Sequence, residues 1–132
     1  LEVVDKNLNT IHPSMWEYWP DYNIKEKIKK SRDYRSCLMT NCITGCTTIV
    51  NSKLIEKLLP LPGYPIVHDW WIGLVAECMG DTVFIYEPYL KYRRHGDNAS
   101  SLHHHPLKKM IFNRLYFIEQ LMIRWIQVGW HA

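Results

Sequence analysis

His68-Asp69-Trp70-Trp71 sets an imidazole, a carboxylate and two indoles side by side in a chain of 132 residues. A carboxylate can orient a sugar hydroxyl or take its proton, and sugars stack on aromatic faces, so this set of residues suits carbohydrate chemistry. Residues 64–80 must position it. Gly63 and Pro65 form a loop into His68, Leu74, Val75 and Cys78 recur with Trp71 at helical spacing, and Gly80 is a stop signal. The pattern predicts a helix with Asp69 at its mouth. Asp is also a preferred N-cap residue, so Asp69 reads equally as a cap and as a base; a capping carboxylate keeps one oxygen free for chemistry.

The length fits about one domain, and 47% hydrophobic with 13% aromatic residues is enough for a packed core. The first residue is Leu1, which suggests a piece of a longer protein. No signal-peptide pattern opens the chain, and no run of about 18 uninterrupted apolar residues suggests a membrane span. A net charge of +3 and a pI of about 8.7 suit an anionic small ligand, but without a clustered basic face they do not point to nucleic acid. The four cysteines form no Cys-x-x-Cys pair and read as reduced thiols, with a zinc site on Cys42 and Cys46 as the minor alternative. Residues 25–32 are rich in Lys and Arg and read as a solvated face.

The elements follow from local pattern. The β-branched run at 46–50, after Gly45, predicts a strand; Thr44, Thr47 and Thr48 there read either as pocket lining or as ordinary strand residues. Ser52 is a candidate cap for a helix over 53–59, with Leu54, Ile55, Leu58 and Leu59 inward and Pro60 and Pro62 ending it. Residues 82–86 predict a buried strand and 89–95 a second one. Residues 96–101 have the composition of a mobile loop, and His103-His104-His105 reads as an exposed linker, with metal binding as the lesser alternative. From Pro106 to about Val128 a long helix is predicted. Its stripe is Leu107, Met110, Ile111, Leu115, Ile118, Leu121, Met122 and Trp125, with Lys108, Lys109, Arg114 and Arg124 as basic edges. Packing on the domain, on a neighbour or in a dimer is its expected use, and a membrane-surface helix is the alternative. Strands alternating with helices make the class α/β.

Three segments in order, Asn41-x-x-Thr-Gly-Cys-Thr-x-x-x-Asn51, His68-Asp-Trp-Trp71 and Tyr92-Arg-x-His-Gly-x-Asn98, resemble the second half of family 2 glycosyltransferases. Within that family they are most similar to the rhamnosyltransferase-like branch that decorates bacterial surface polysaccharides. The resemblance covers roughly residues 35–100. It implies the C-terminal portion of a GT-A fold (Rossmann-like, as in nucleotide-diphospho-sugar transferases) plus a C-terminal amphipathic helix. Residues 1–101 would be the acceptor-side half and 102–132 a linker and helix.

What the resemblance implies for chemistry is an inverting transfer of a sugar from a nucleotide-diphosphate donor to a saccharide acceptor. Asp69 matches the family's catalytic base. Thr44 and Gly45 match the stretch beneath the donor sugar, and His68, Trp70 and Trp71 would help hold the sugars. Arg93 and Arg94 would offset diphosphate charge, and His95 would assist a divalent cation, Mn²⁺ or Mg²⁺. The cation's main ligands would be an Asp-x-Asp motif upstream of Leu1, since Asp5 and Asp21 stand in no such context, and residues 1–132 alone are then expected to be inactive. The expected partners are the donor and the acceptor, not nucleic acid. The expected location is cytoplasmic, with the amphipathic helix offering peripheral contact with the inner face of the membrane or self-association. Two other readings use the same residues: a non-catalytic carbohydrate-binding or protein-interaction module and, remotely, a zinc hydrolase built on His68, Asp69 and His95, whose spacing matches no common zinc pattern.

Overall fold

The computed structural model describes residues 1–18, 34–41, 43–63, 67–95 and 106–129, with backbone only at 34–36; residues 25–32, Asp21, Cys42 and the 64–66, 96–101 and 103–105 segments lie outside these. The chain divides into two compact units, each built from two stretches: 1–30 with 83–104, and 31–82 with 105–132.

In the first unit, β1 (Glu2–Val4) is the middle strand of three. It pairs antiparallel with β2 (Thr10–His12) and parallel with β3 (Lys91–Arg93). Val3 and Val4 are fully buried, as the β-branched residues of a central strand should be. Asp5 closes the β1–β2 turn: its Oδ1 accepts the Asn7 and Asn9 N–H groups, each at 2.8 Å, and its Oδ2 accepts Asn9 Nδ2 at 3.0 Å. The side-chain bond from Asn9, then its backbone bond, holds the Asp5 carboxyl below its ordinary range. A short helix, α1 (Met15–Tyr18), buries Met15. Residues 82–86 form no ladder among the described residues: Val83 and Ile85 are exposed, while Phe84 and Tyr86 set their rings edge-on to Trp16 at 6.0 and 5.5 Å. The predicted strand at 89–95 shortens to β3.

The second unit is helical: α2 (Tyr34–Met39), a 3₁₀ turn (Gly45–Thr47), α3 (Ser52–Leu58), α4 (His68–Met79) and α5 (Leu107–Val128). The turn replaces the strand predicted at 46–50. The hydroxyls of Thr47 and Thr48 donate back to the Thr44 carbonyl at 2.8 and 3.0 Å, local bonds that compete with a ladder. Asn51, not Ser52, caps α3, accepting the Leu54 N–H at 2.8 Å. Of the face predicted to be buried on α3, Leu58 is buried and Leu54 packs against the core, but Ile55 and Leu59 are exposed.

The core gathers on α4: Trp71, Leu74 and Val75 meet Cys37, Leu58 and Phe117. Trp71 Nε1 donates to the Leu58 carbonyl at 3.1 Å, so the indole is buried without an orphan donor. Lys57 Nζ reaches the Met79 carbonyl at 3.1 Å, placing a cation at the α4 C-terminus. On α5 the packed face is not the predicted stripe. Phe117, Asn113 and Arg124 are buried, and most of the stripe is exposed. Arginine chemistry explains the rotation. Arg124 donates to the Leu59 and Pro60 carbonyls beyond α3, and Arg114 donates to the Met39 carbonyl at the end of α2 at 2.8 Å. Both were expected as basic edges; both instead cap helix-end carbonyls and draw their side of α5 inward.

Gly73 lets two segments meet. A Cβ there would stand 2.6 Å from Ile43 Cγ1 and 3.1 Å from Cys37 Sγ. Gly→Ala normally favours a helix interior by up to about 1 kcal/mol. Here the overlap falls inside the core, where overpacking costs about 1–3 kcal/mol. Gly73→Ala is therefore expected to destabilise the protein on balance, read as a lower urea midpoint with an unchanged m-value.

Candidate active site

Helix α4 begins at His68, and Val67, with no side-chain cap bond, occupies the N-cap position. Asp69 is thus the second helical residue and not the cap expected from its type. Its carboxylate still serves the exposed helix start, because Oδ1 accepts the Trp70 N–H at 2.6 Å. The same oxygen accepts Asn41 Nδ2 at 3.1 Å, and Oδ2 accepts the Gly45 N–H at 3.3 Å. A carboxylate has about four acceptor positions. Oδ1 has filled its two, and Oδ2 keeps one, so Oδ2 is the oxygen with room to accept a further hydroxyl.

The donors are held from below. Asn41 Oδ1 accepts the Ile43 N–H at 3.0 Å, which fixes the amide so that Nδ2 points at Asp69. Gly45 begins the 3₁₀ turn, and its lack of a side chain matters, since a Cβ would stand 2.8 Å from His68 Nε2 and 3.5 Å from Asp69 Cβ. The structure thus brings Asn41, Gly45, His68 and Asp69 together, with the His68 ring exposed and Asp69 half-buried. Thr44 stands at the turn as an acceptor through its carbonyl.

The tryptophans divide as core and packing. Trp71 is fully buried and offers no face to a ligand. Trp70 donates Nε1 to the Cys37 carbonyl at 2.6 Å, tilts against Phe117 at 4.7 Å between centroids and carries the Arg114 guanidinium 5.0 Å above its ring. Arg93, Arg94 and His95 belong to the other unit, at and just beyond β3, where the Arg94 N–H donates to the Val4 carbonyl at 2.7 Å. Among the described residues no three His, Cys, Asp or Glu side chains group to hold a metal, so His95 and its described neighbours do not form a cation site by themselves. Cys37, Cys46 and Cys78 form no disulfide; burial, with Glu77 nearby, pushes Cys78 up to about 11 and keeps it protonated at neutral pH.

Sequence reasoning placed Asn41 in a motif but gave it no role. Nothing local ties position 41 to position 69; tertiary contacts, the packing of Ile43 and Cys37 at Gly73 and the Trp70 bond to the Cys37 carbonyl among them, bring them together. No protein-family model, curated protein or solved structure matches the chain.

Two outcomes follow from this geometry. Asn41→Ala removes a bond to a charged acceptor and is expected to cost about 1–3 kcal/mol. In an Asp69→Ala background the same change should cost measurably less, as a double-mutant cycle by urea unfolding reports. Gly45→Ala is expected to swing the exposed His68 ring aside while stability stays within about 0.5 kcal/mol, seen as a displaced His68 ring resonance beside a nearly unchanged unfolding midpoint.

Proposed function

We propose that this chain is the acceptor side of a family 2 glycosyltransferase of GT-A type, transferring a sugar with inversion from a nucleotide-diphosphate donor to a saccharide hydroxyl in surface polysaccharide or glycoconjugate synthesis. The observation that carries the reading is the convergence of two resembling segments, Asn41 to Asn51 and His68 to Trp71, on the Asp69 carboxylate. An acceptor hydroxyl is a poor nucleophile at neutral pH and needs a base at the attacking oxygen as the new bond forms. Asp69 Oδ2 takes that proton, the oxygen attacks the anomeric carbon, and the nucleotide diphosphate leaves with the bonding electrons. Asn41 and the Trp70 and Gly45 amides keep the carboxylate aimed. Arg93 and Arg94 would offset the charge of the leaving diphosphate, and His95 would be one imidazole toward a divalent cation held mainly by an Asp-x-Asp motif.

A carbohydrate-binding module without chemistry would need an open aromatic face beside Asp69. With Trp71 in the core and Trp70 tilted against Phe117 and under Arg114, the local arrangement favours a base over a stacking platform. The test uses the protein carrying both donor and acceptor halves, screened against nucleotide sugars with Mn²⁺ or Mg²⁺. Asp69→Asn keeps the side chain's size but cannot accept the proton. It is expected to lower turnover by about 10²-fold or more with donor affinity nearly kept. Near-parent turnover in Asp69→Asn would make Asp69 a structural carboxylate only.

A further inference from the structure

We infer that α5 is a homodimerisation helix whose exposed stripe pairs antiparallel with the same stripe of a second copy of this chain. The inference is independent of the transfer reading. Ile111, Leu115, Ile118, Met122 and Trp125 recur at steps of four, three, four and three. That is the 3.5-residue period of knobs-into-holes pairing between two helices. All five are 40–62% exposed, although the helix is held to its own unit by Phe117, Asn113 and Arg124 on another face.

The size of the face matches that occupant. The five seam residues and their flanking neighbours Leu107 and Ile126 are all at least 40% exposed. They present on the order of 800 Å² of surface, against the few hundred Å² that a monomer commonly leaves open and the roughly 800 Å² each partner gives to a standard interface.

Charge placement sets the orientation. The next seam position toward the N-terminus of the helix is Lys108, which is exposed. A parallel pair would set Lys108 against Lys108 of the second copy, two like charges in one layer. The antiparallel pair centred between Leu115 and Ile118 instead sends the two Lys108 side chains to opposite ends of the seam, where the two-fold axis keeps them apart. The remaining layers are then apolar, Ile111 on Met122 and Leu115 on Ile118, and Glu119 falls at the solvent edge. A lipid surface is a poorer match. A membrane-binding helix carries Lys and Arg along its polar flanks. Here Arg114 and Arg124 are turned to backbone carbonyls, leaving Lys108 and Lys109 at one end and Glu119 midway.

The test is sedimentation equilibrium of the 132-residue chain, with a cross-linking arm. The parent is expected to show a monomer–dimer equilibrium. Ile118→Asp, a change at a solvent-facing position of the single chain, is expected to weaken dimerisation at least about tenfold while helicity and unfolding midpoint stay at parent values. Ile111→Cys combined with Met122→Cys is expected to give a disulfide-linked dimer above the parent's own background. Neither single variant should, because each new thiol faces the other position across the two-fold axis. A parent that stays monomeric at high concentration overturns the inference, as does a dimer unaffected by Ile118→Asp. Ile111→Cys linking by itself overturns the antiparallel orientation, and a monomer that sediments with anionic phospholipid vesicles assigns the face to lipid instead.

Discussion

Only a hydrogen atom fits at position 73. Gly73 lies one helical turn beyond Asp69 on the same side of α4, and the Ile43 side chain rests where a Cβ would be. Ile43 stands between Asn41 and Gly45, so its docking lays that segment along the helix and brings both residues within hydrogen-bonding reach of the carboxylate. Cys37, from the end of α2, uses the same gap. A packing constraint in the core therefore sets the polar geometry at the helix mouth, and the aim of Asp69 depends on a residue that carries no chemistry.

Helices α3, α4 and α5 were legible because their signals are local, whereas α2 was not expected from the sequence. Pro60 and Pro62 follow α3, Gly80 follows α4, Pro106 precedes α5, and each helix begins or ends within a residue or two of those marks. The strands were legible only in part: β3 falls within the strand expected at 89–95, but β1 and β2 were not expected, and the strands expected at 46–50 and 82–86 are absent among the described residues. Residues 46–50 have β-branched composition, but Thr47 and Thr48 spend their hydroxyls on the Thr44 carbonyl and the backbone coils. Sheet pairing depends on a distant partner, and Val3 finds Tyr92 across most of the chain. The inward face of α5 was misread for a related reason. Hydrophobic period identifies an amphipathic helix but not what it packs against, and two arginines with carbonyl partners outweighed a stripe of leucine and isoleucine.

At the candidate site, residue types pointed to Asp69, and its place in the first turn of a helix was foreseen. The division of labour between the tryptophans was not, because adjacent residues on a helix project about 100° apart and sequence does not say which side is the interior. Trp71 took the interior and Trp70 the boundary, where its ring is shared between Phe117 and Arg114. Asn41 was invisible as a partner for the same reason as the strands: its contact spans 28 positions.

The Arg124 bonds to Leu59 and Pro60 bear on the order of assembly. These carbonyls lead into the loop that delivers the chain to Asp69, yet their donor lies 55 positions beyond Asp69 (124 − 69). During synthesis the ribosome releases the carboxylate, the turn and the whole of α4 before it makes the guanidinium that ties that loop down. The nascent helical unit must wait through the residues of β3, which complete the other unit's sheet. Each unit is assembled from two stretches separated in sequence by part of the other, so neither is an uninterrupted run of chain, and the Arg124 tie is among the last to become available during synthesis.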